Sequence, residues 1–202
     1  MIARLAYFLA VLLGATVVGA PEATPQSVGR TVLVEIETSE GEITAEIYIE
    51  RAPVTAGNFL AYVDDLLFDR GSFFRSVRMD NQPDDSIRIE VIQGGSNPDR
   101  RSERFPAIAL ERTSVTGLRH VDGAVSMARA GPDTARSEFF ICIGDQPELD
   151  FGGRRHTDSQ GFAAFGWVVS GMEVVRKIHS QAAVGQRLAS PVLITGARRI
   201  LR

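Results

Sequence analysis

Three short strings carry the residue types from which chemistry could be built. They are Phe73-Phe74-Arg75, Ile92-Gln93-Gly94-Gly95, and Val125-Ser126-Met127-Ala128 running through Gly131-Pro132 to Phe139-Phe140-Ile141-Cys142. A guanidinium is permanently charged and rich in fixed donors, so Arg75 suits electrostatic work in an apolar groove. Period-two alternation puts Phe139, Ile141 and Ile143 on one face of a strand and Glu138, Phe140 and Cys142 on the other. Nucleophilic and metal chemistry find little support. Cys142 is the single cysteine, in an apolar run where it should pack as a small hydrophobe, and no disulfide can form within the chain. His120, His156 and His179 are scattered without metal-ligand spacing, so no metal is assigned.

The elements that must position these strings follow from hydropathy patterning. Val32, Val34 and Ile36, then Ile43, Ala45, Ile47 and Ile49, alternate with polar neighbours around Ser39-Glu40-Gly41-Glu42, which predicts a hairpin of half-buried strands. Pro53 to Val63 opens with proline and carries Ala56, Phe59, Leu60 and Val63 at helical spacing. Ser72–Val77, Ile87–Ile92, Ala107–Leu110, Gly123–Met127, Glu138–Ile143, Phe162–Val169 and Val192–Ile200 read as strands, and Met172–Ser180 as a short helix. Asp80-Asn81-Gln82-Pro83-Asp84-Asp85 reads as an exposed turn-forming loop. Many short strands with one early and one late helix predict a mainly β fold, an antiparallel closed barrel whose ends the helices cover.

The chain has 202 residues, 44% hydrophobic and 23% charged, enough for one domain with a sizeable core. Its net charge of −3 and the spread of its arginines along the chain give no support to nucleic-acid binding. Residues 1–20 differ from the rest: Arg4 precedes an apolar run from Leu5 to Ala20 that ends in small residues. That pattern is a signal peptide or an N-terminal anchor, with Pro21 set to hinder cleavage after Ala20. Residues 21–30, rich in Pro, Ala, Thr, Gln and Gly, read as a tether. The expected location is extracytoplasmic, periplasmic or secreted, with residues 2–20 as a membrane tether if they are retained.

The three strings resemble the cyclophilin family of peptidyl-prolyl isomerases. The resemblance covers about residues 31–200, makes residues 31–202 one cyclophilin-like domain, and implies a closed antiparallel eight-stranded barrel capped by two helices. It implies catalysis without a cofactor, on proline-containing unfolded or extended polypeptides, by a monomer. Residue by residue it makes Arg75 the electrostatic catalyst and Gln93 its orienting partner. Ala128, Arg129 and Ala130 become the peptide-binding strand, and Val91, Phe140, Leu149 and Phe162 the proline pocket, with Glu138 beside it. Gly94 and Gly95 are expected to serve backbone conformation alone. The chain also departs from the family pattern. Arg78–Arg88 reads as an insertion, and Glu90, Glu138 and Glu148 stand where the family has phenylalanine, glutamine and tryptophan. Two expectations follow from these carboxylates: Glu138 pairs directly with Arg75, and Glu90 and Glu148, if they line the rim, favour basic residues beside the proline. Two functions stay open: an exported isomerase that assists protein folding, and a weakly catalytic or non-catalytic proline-peptide-binding module.

Overall fold

The structure, a computed structural model, describes residues 29–82, 87–103 and 105–200. The expected signal or anchor, and all of the expected tether except Gly29 and Arg30, lie outside the described residues.

The strands are β1 (Thr31–Thr38), β2 (Gly41–Tyr48), β3 (Ser72–Val77), β4 (Val91–Gly95), β5 (Ala124–Met127), β6 (Phe139–Cys142), β7 (Ala163–Ser170), β8 (Ala183–Val184) and β9 (Arg187–Ile200). All pair antiparallel in the order β1-β2-β7-β5-β6-β4-β3-β9, and β9 pairs back with β1 to close an eight-stranded barrel. Among the described residues, closure leaves only the short β8, a hairpin with β9, outside the ring. In the first hairpin Val34 faces Ala45 and Ile36 faces Ile43 across the register, so one apolar face is pinned inward along both strands.

Helix α1 (Pro53–Asp64) begins with proline, whose missing N–H costs nothing there. The Glu111 carboxylate accepts the free N–H groups of Val54 at 3.1 Å and Thr55 at 2.7 Å, supplying the cap that Ala52 cannot. The helix buries Phe59, whose ring lies 5.2 Å from Phe68, 5.4 Å from Phe139 and 5.1 Å from Phe165, at the centre of the core. Helix α3 (Met172–His179) adds Val175 and Ile178 to the same core. A further single helical turn, α2 (Thr113–Thr116), joins the two expected helices.

Several boundaries differ from the sequence reading. Ala107–Leu110 forms no strand, only an isolated bridge between Ile108 and Ala135. β4 starts at Val91 rather than Ile87 and runs on through Gln93-Gly94-Gly95, and β9 starts at Arg187 rather than Val192. Neither glycine of β4 has a positive φ. Their small size is what matters: a Cβ on Gly94 would lie 2.9 Å from the Phe73 ring, and one on Gly95 would lie 3.1 Å from Cγ of Glu138.

Candidate active site

Regular alternation along β3 would turn Phe73 and Arg75 to the same face. A bulge prevents this. Phe73 pairs with Gly94 and Arg75 with Gln93, so Phe74 and Arg75 together oppose one residue of β4. Phe73 therefore stays in the core while Arg75 points out of the barrel beside Gln93. The register continues across the sheet, with Gln93 opposite Phe140 and Phe140 opposite Ser126. Arg75, Gln93, Phe140 and Ser126 thus form one transverse row over β3, β4, β6 and β5. Phe139 and Ile141 belong to the barrel core, and Phe140 and Cys142 to a second, smaller apolar cluster on the outer face. The alternation expected of β6 is realised.

Arg75 is held from two sides. Its Nη1 donates to Oε1 of Gln93 at 2.9 Å, its Nε to Oε1 of Gln186 at 3.0 Å, and its Nη2 to the same Gln186 oxygen. The Gln93 amide then donates from Nε2 to Oε2 of Glu138 at 2.9 Å. The expected direct pair between Glu138 and Arg75 does not form, because the glutamine amide stands between the two charges. Burial lowers the pKa of the Arg75 guanidinium, the nearby Arg155 charge lowers it further, and Glu138 works the other way. Gln186 had no signal in the sequence. It sits in the β8–β9 turn, and only barrel closure brings that turn against β3.

Beside Arg75 opens a cavity of about 370 Å³. The residues that the resemblance assigned to catalysis and to peptide binding all border it: Arg75, Gln93, Val91, Ala128, Arg129, Ala130, Glu138, Phe140, Leu149 and Phe162. Phe140 and Phe162 meet edge to face at 5.6 Å. His120 stacks against the Phe140 ring at 5.9 Å. The His120 Nδ1 proton goes to Oδ1 of Asp150 at 2.7 Å, and Nε2 accepts from the Ser126 hydroxyl at 2.9 Å. This Ser-His-Asp set resembles a hydrolytic triad, yet Ser126 is 0% exposed and His120 1%. It braces Phe140 and has no access to substrate.

Comparison with known proteins identifies the family. Residues 33–199 match the family described as "Cyclophilin type peptidyl-prolyl cis-trans isomerase/CLD". A peptidyl-prolyl cis-trans isomerase of Acinetobacter baylyi is 35% identical over 147 residues, covering 72% of this chain and 71% of the relative. The chain belongs to the cyclophilin-type peptidyl-prolyl isomerases. Peptidyl-prolyl cis-trans isomerase B of Escherichia coli is 29% identical over 151 residues, covering 74% of this chain and 85% of the relative. A cyclophilin-type isomerase of Cryptosporidium parvum, solved in the presence of the dipeptide Ala-Pro, superposes with a TM-score of 0.64 at 20% identity, over 84% of this chain and 99% of its own.

Within this cyclophilin two of the expected rim residues lie away from the pocket. Neither Glu90 nor Glu148 borders the cavity, so neither acts as a rim carboxylate. Glu148 is tied to Arg154, which holds its carboxyl below the usual range. The wall beside Val91 is Ile89, with Val77 next to it, both missed by the sequence reading as pocket residues. Ile89 is fixed by Gln82, whose amide bonds its N–H at 3.2 Å and its carbonyl at 3.0 Å. Gln82 is itself buried, where an exposed loop was expected. Gln82, within the expected insertion Arg78–Arg88, therefore holds an apolar wall of the pocket in place. Arg129 spends its guanidinium on Asp158, at 2.7 and 2.8 Å, and on the Gly161 carbonyl, while lying 4.9 Å over the Phe162 ring. It clamps the 158–161 segment beneath Phe162.

Proposed function

We propose that this cyclophilin isomerises X-Pro bonds of unfolded or extended exported polypeptides, with Arg75 stabilising the twisted amide. The observation that carries the reading is the fixed Arg75 guanidinium, bonded to two glutamine oxygens in a cavity that Val91, Phe140, Leu149 and Phe162 also line. Rotation breaks amide resonance against a barrier of ~18–20 kcal/mol. As resonance breaks, the prolyl nitrogen regains its lone pair, and a pre-oriented cation there is favoured more in the transition state than in the ground state. Lowering the barrier by ~4 kcal/mol gives about a thousandfold. The ring fits among Val91, Phe140, Leu149 and Phe162, and Ala128–Ala130 offers main-chain groups to the extended peptide. Gln93 orients the guanidinium. Proline-peptide binding is carried over from the relative solved with Ala-Pro.

Export rests on Arg4 and the apolar run from Leu5 to Ala20, and fractionation with N-terminal sequencing tests it. A second reading, a proline-peptide-binding module with little turnover, is favoured by one feature: the Glu138 charge in the network that holds Arg75. Exchange spectroscopy on an uncharged prolyl tetrapeptide separates the two. Accelerated cis-trans exchange supports the isomerase, and binding without acceleration supports the module.

A further inference from the structure

Charge around the cavity runs opposite to that of the chain. The chain carries a net −3, yet four arginines, Arg75, Arg129, Arg136 and Arg155, border the cavity against Glu138 as the one carboxylate among the described residues. Arg129 is neutralised by Asp158. Arg155 donates to the Ile87 carbonyl at 2.7 Å. Among the described residues, Arg75 and Arg136 bond only neutral oxygens: those of Gln93 and Gln186 for the first, the Phe105 carbonyl at 2.7 Å for the second. Arg136 is exposed at the polar end of the cavity, with Thr134 and Ser137 beside it, while Val77, Ile89 and Phe140 make the apolar end. A cation whose partners are neutral keeps its field for a ligand.

We propose that the groove selects prolyl peptides carrying a carboxylate side chain within two residues of the proline, with Arg136 making the contact. The inference rests on the isomerase reading and names its substrate class. An extended peptide advances ~3.3 Å per residue, so with proline against Phe140 a side chain two positions away lies ~7 Å along the groove, within reach of a long arginine. The contact is exposed, so its effect is modest and sensitive to salt.

The test uses the full chain and capped tetrapeptides with Glu, Gln or Lys two positions before, one before or one after the proline. At low ionic strength the Glu peptide of at least one series should exceed its Lys counterpart in kcat/KM by about fivefold, with Gln between them, and the ratio should approach one at ~0.5 M salt. Arg136→Gln should cut that ratio to about twofold or less, and Arg136→Lys should restore most of it. Equal rates in every series, a preference for Lys, or a ratio unchanged in Arg136→Gln would overturn the proposal. Should the Gln peptides bind without isomerising, the isomerase reading falls, and the ratio of dissociation constants still decides the charge preference.

Discussion

The side-chain amide of Gln93 separates the Arg75 guanidinium from the Glu138 carboxylate, its Oε1 accepting from the cation at 2.9 Å and its Nε2 donating to the anion at 2.9 Å. Each end of the amide thus meets the charge that suits its dipole, which fixes the orientation of Gln93 and, through it, that of Arg75. The carboxylate helps to position the cation while it draws on the cation's field from one amide's length away.

Glu138→Gln separates these two effects. The new side chain can still accept from Gln93, but the negative charge is gone. Opposite charges ~7 Å apart at an effective dielectric near 20 attract by about 2 kcal/mol, and solvent at the half-exposed site screens much of that. Removing it should raise kcat/KM for an uncharged prolyl peptide about threefold, with little change in melting temperature. A fall in kcat/KM would show that positioning by the carboxylate outweighs its charge.

Gln186→Ala leaves two Arg75 donors without their partner. The backbone bond from Ser76 N–H to the Gln186 carbonyl, 2.9 Å, does not depend on the side chain. A loosened guanidinium loses transition-state stabilisation more than ground-state binding, so kcat should drop about tenfold while KM stays within about twofold. Gln186→Asn, with a shorter arm, should fall between. Equal loss in kcat and in thermal stability would make Gln186 structural only.

The two glutamines were unequally legible. Gln93 stands in a recognisable string, whereas Gln186 acts from a turn that is remote in sequence and adjacent only after closure. The alternating strands and the early helix were readable, because period two and short motifs are local, and the residues that the resemblance assigned to the pocket border the cavity. The bulge at Phe74 was not, since it depends on the pairing of β3 with β4. Glu90 and Glu148 were misplaced at the rim for a related reason: position in a string does not say which way a loop side chain turns. Ile89 had its signal, an apolar residue in the run Ile87–Ile92, but its place in the pocket depends on the buried Gln82.

His120 predicts a dependence of stability on pH. Burial lowers its pKa below 6.5, against the opposing bond and charge of Asp150. The unfolded chain therefore takes up this proton first. Stability should be full above about pH 6.5 and fall as the pH drops below it, by at most ~1.4 kcal/mol per unit for one proton. For Asp150 burial acts upward, but His120 outweighs it and holds the carboxyl below 3.8, so its own contribution is lost only at lower pH still. Denaturant unfolding at pH 7.5, 6.5 and 5.0 checks this, and His120→Gln should flatten the slope between 6.5 and 5.0. An unchanged slope would assign the dependence to other groups.

Cys142 is 0% exposed, and burial, with the charges of Asp150, Asp122 and Asp145 adding to it, pushes its thiol well above the ordinary range. Native protein at pH 8 should react with a thiol reagent at least ~100-fold more slowly than protein in denaturant. Comparable rates would mean that the outer apolar cluster under Phe140 opens readily.

The central claim is that the Arg75 charge lowers the barrier to prolyl rotation in a pocket that would bind proline without it. The most direct measurement is kcat/KM and the dissociation constant for one uncharged prolyl peptide in wild type and in Arg75→Ala. In Arg75→Ala, kcat/KM should fall at least ~100-fold, about 2.7 kcal/mol of transition-state stabilisation, while the dissociation constant changes by less than about fivefold. Catalysis within about threefold of wild type, or a loss of binding that matches the loss of rate, would contradict it.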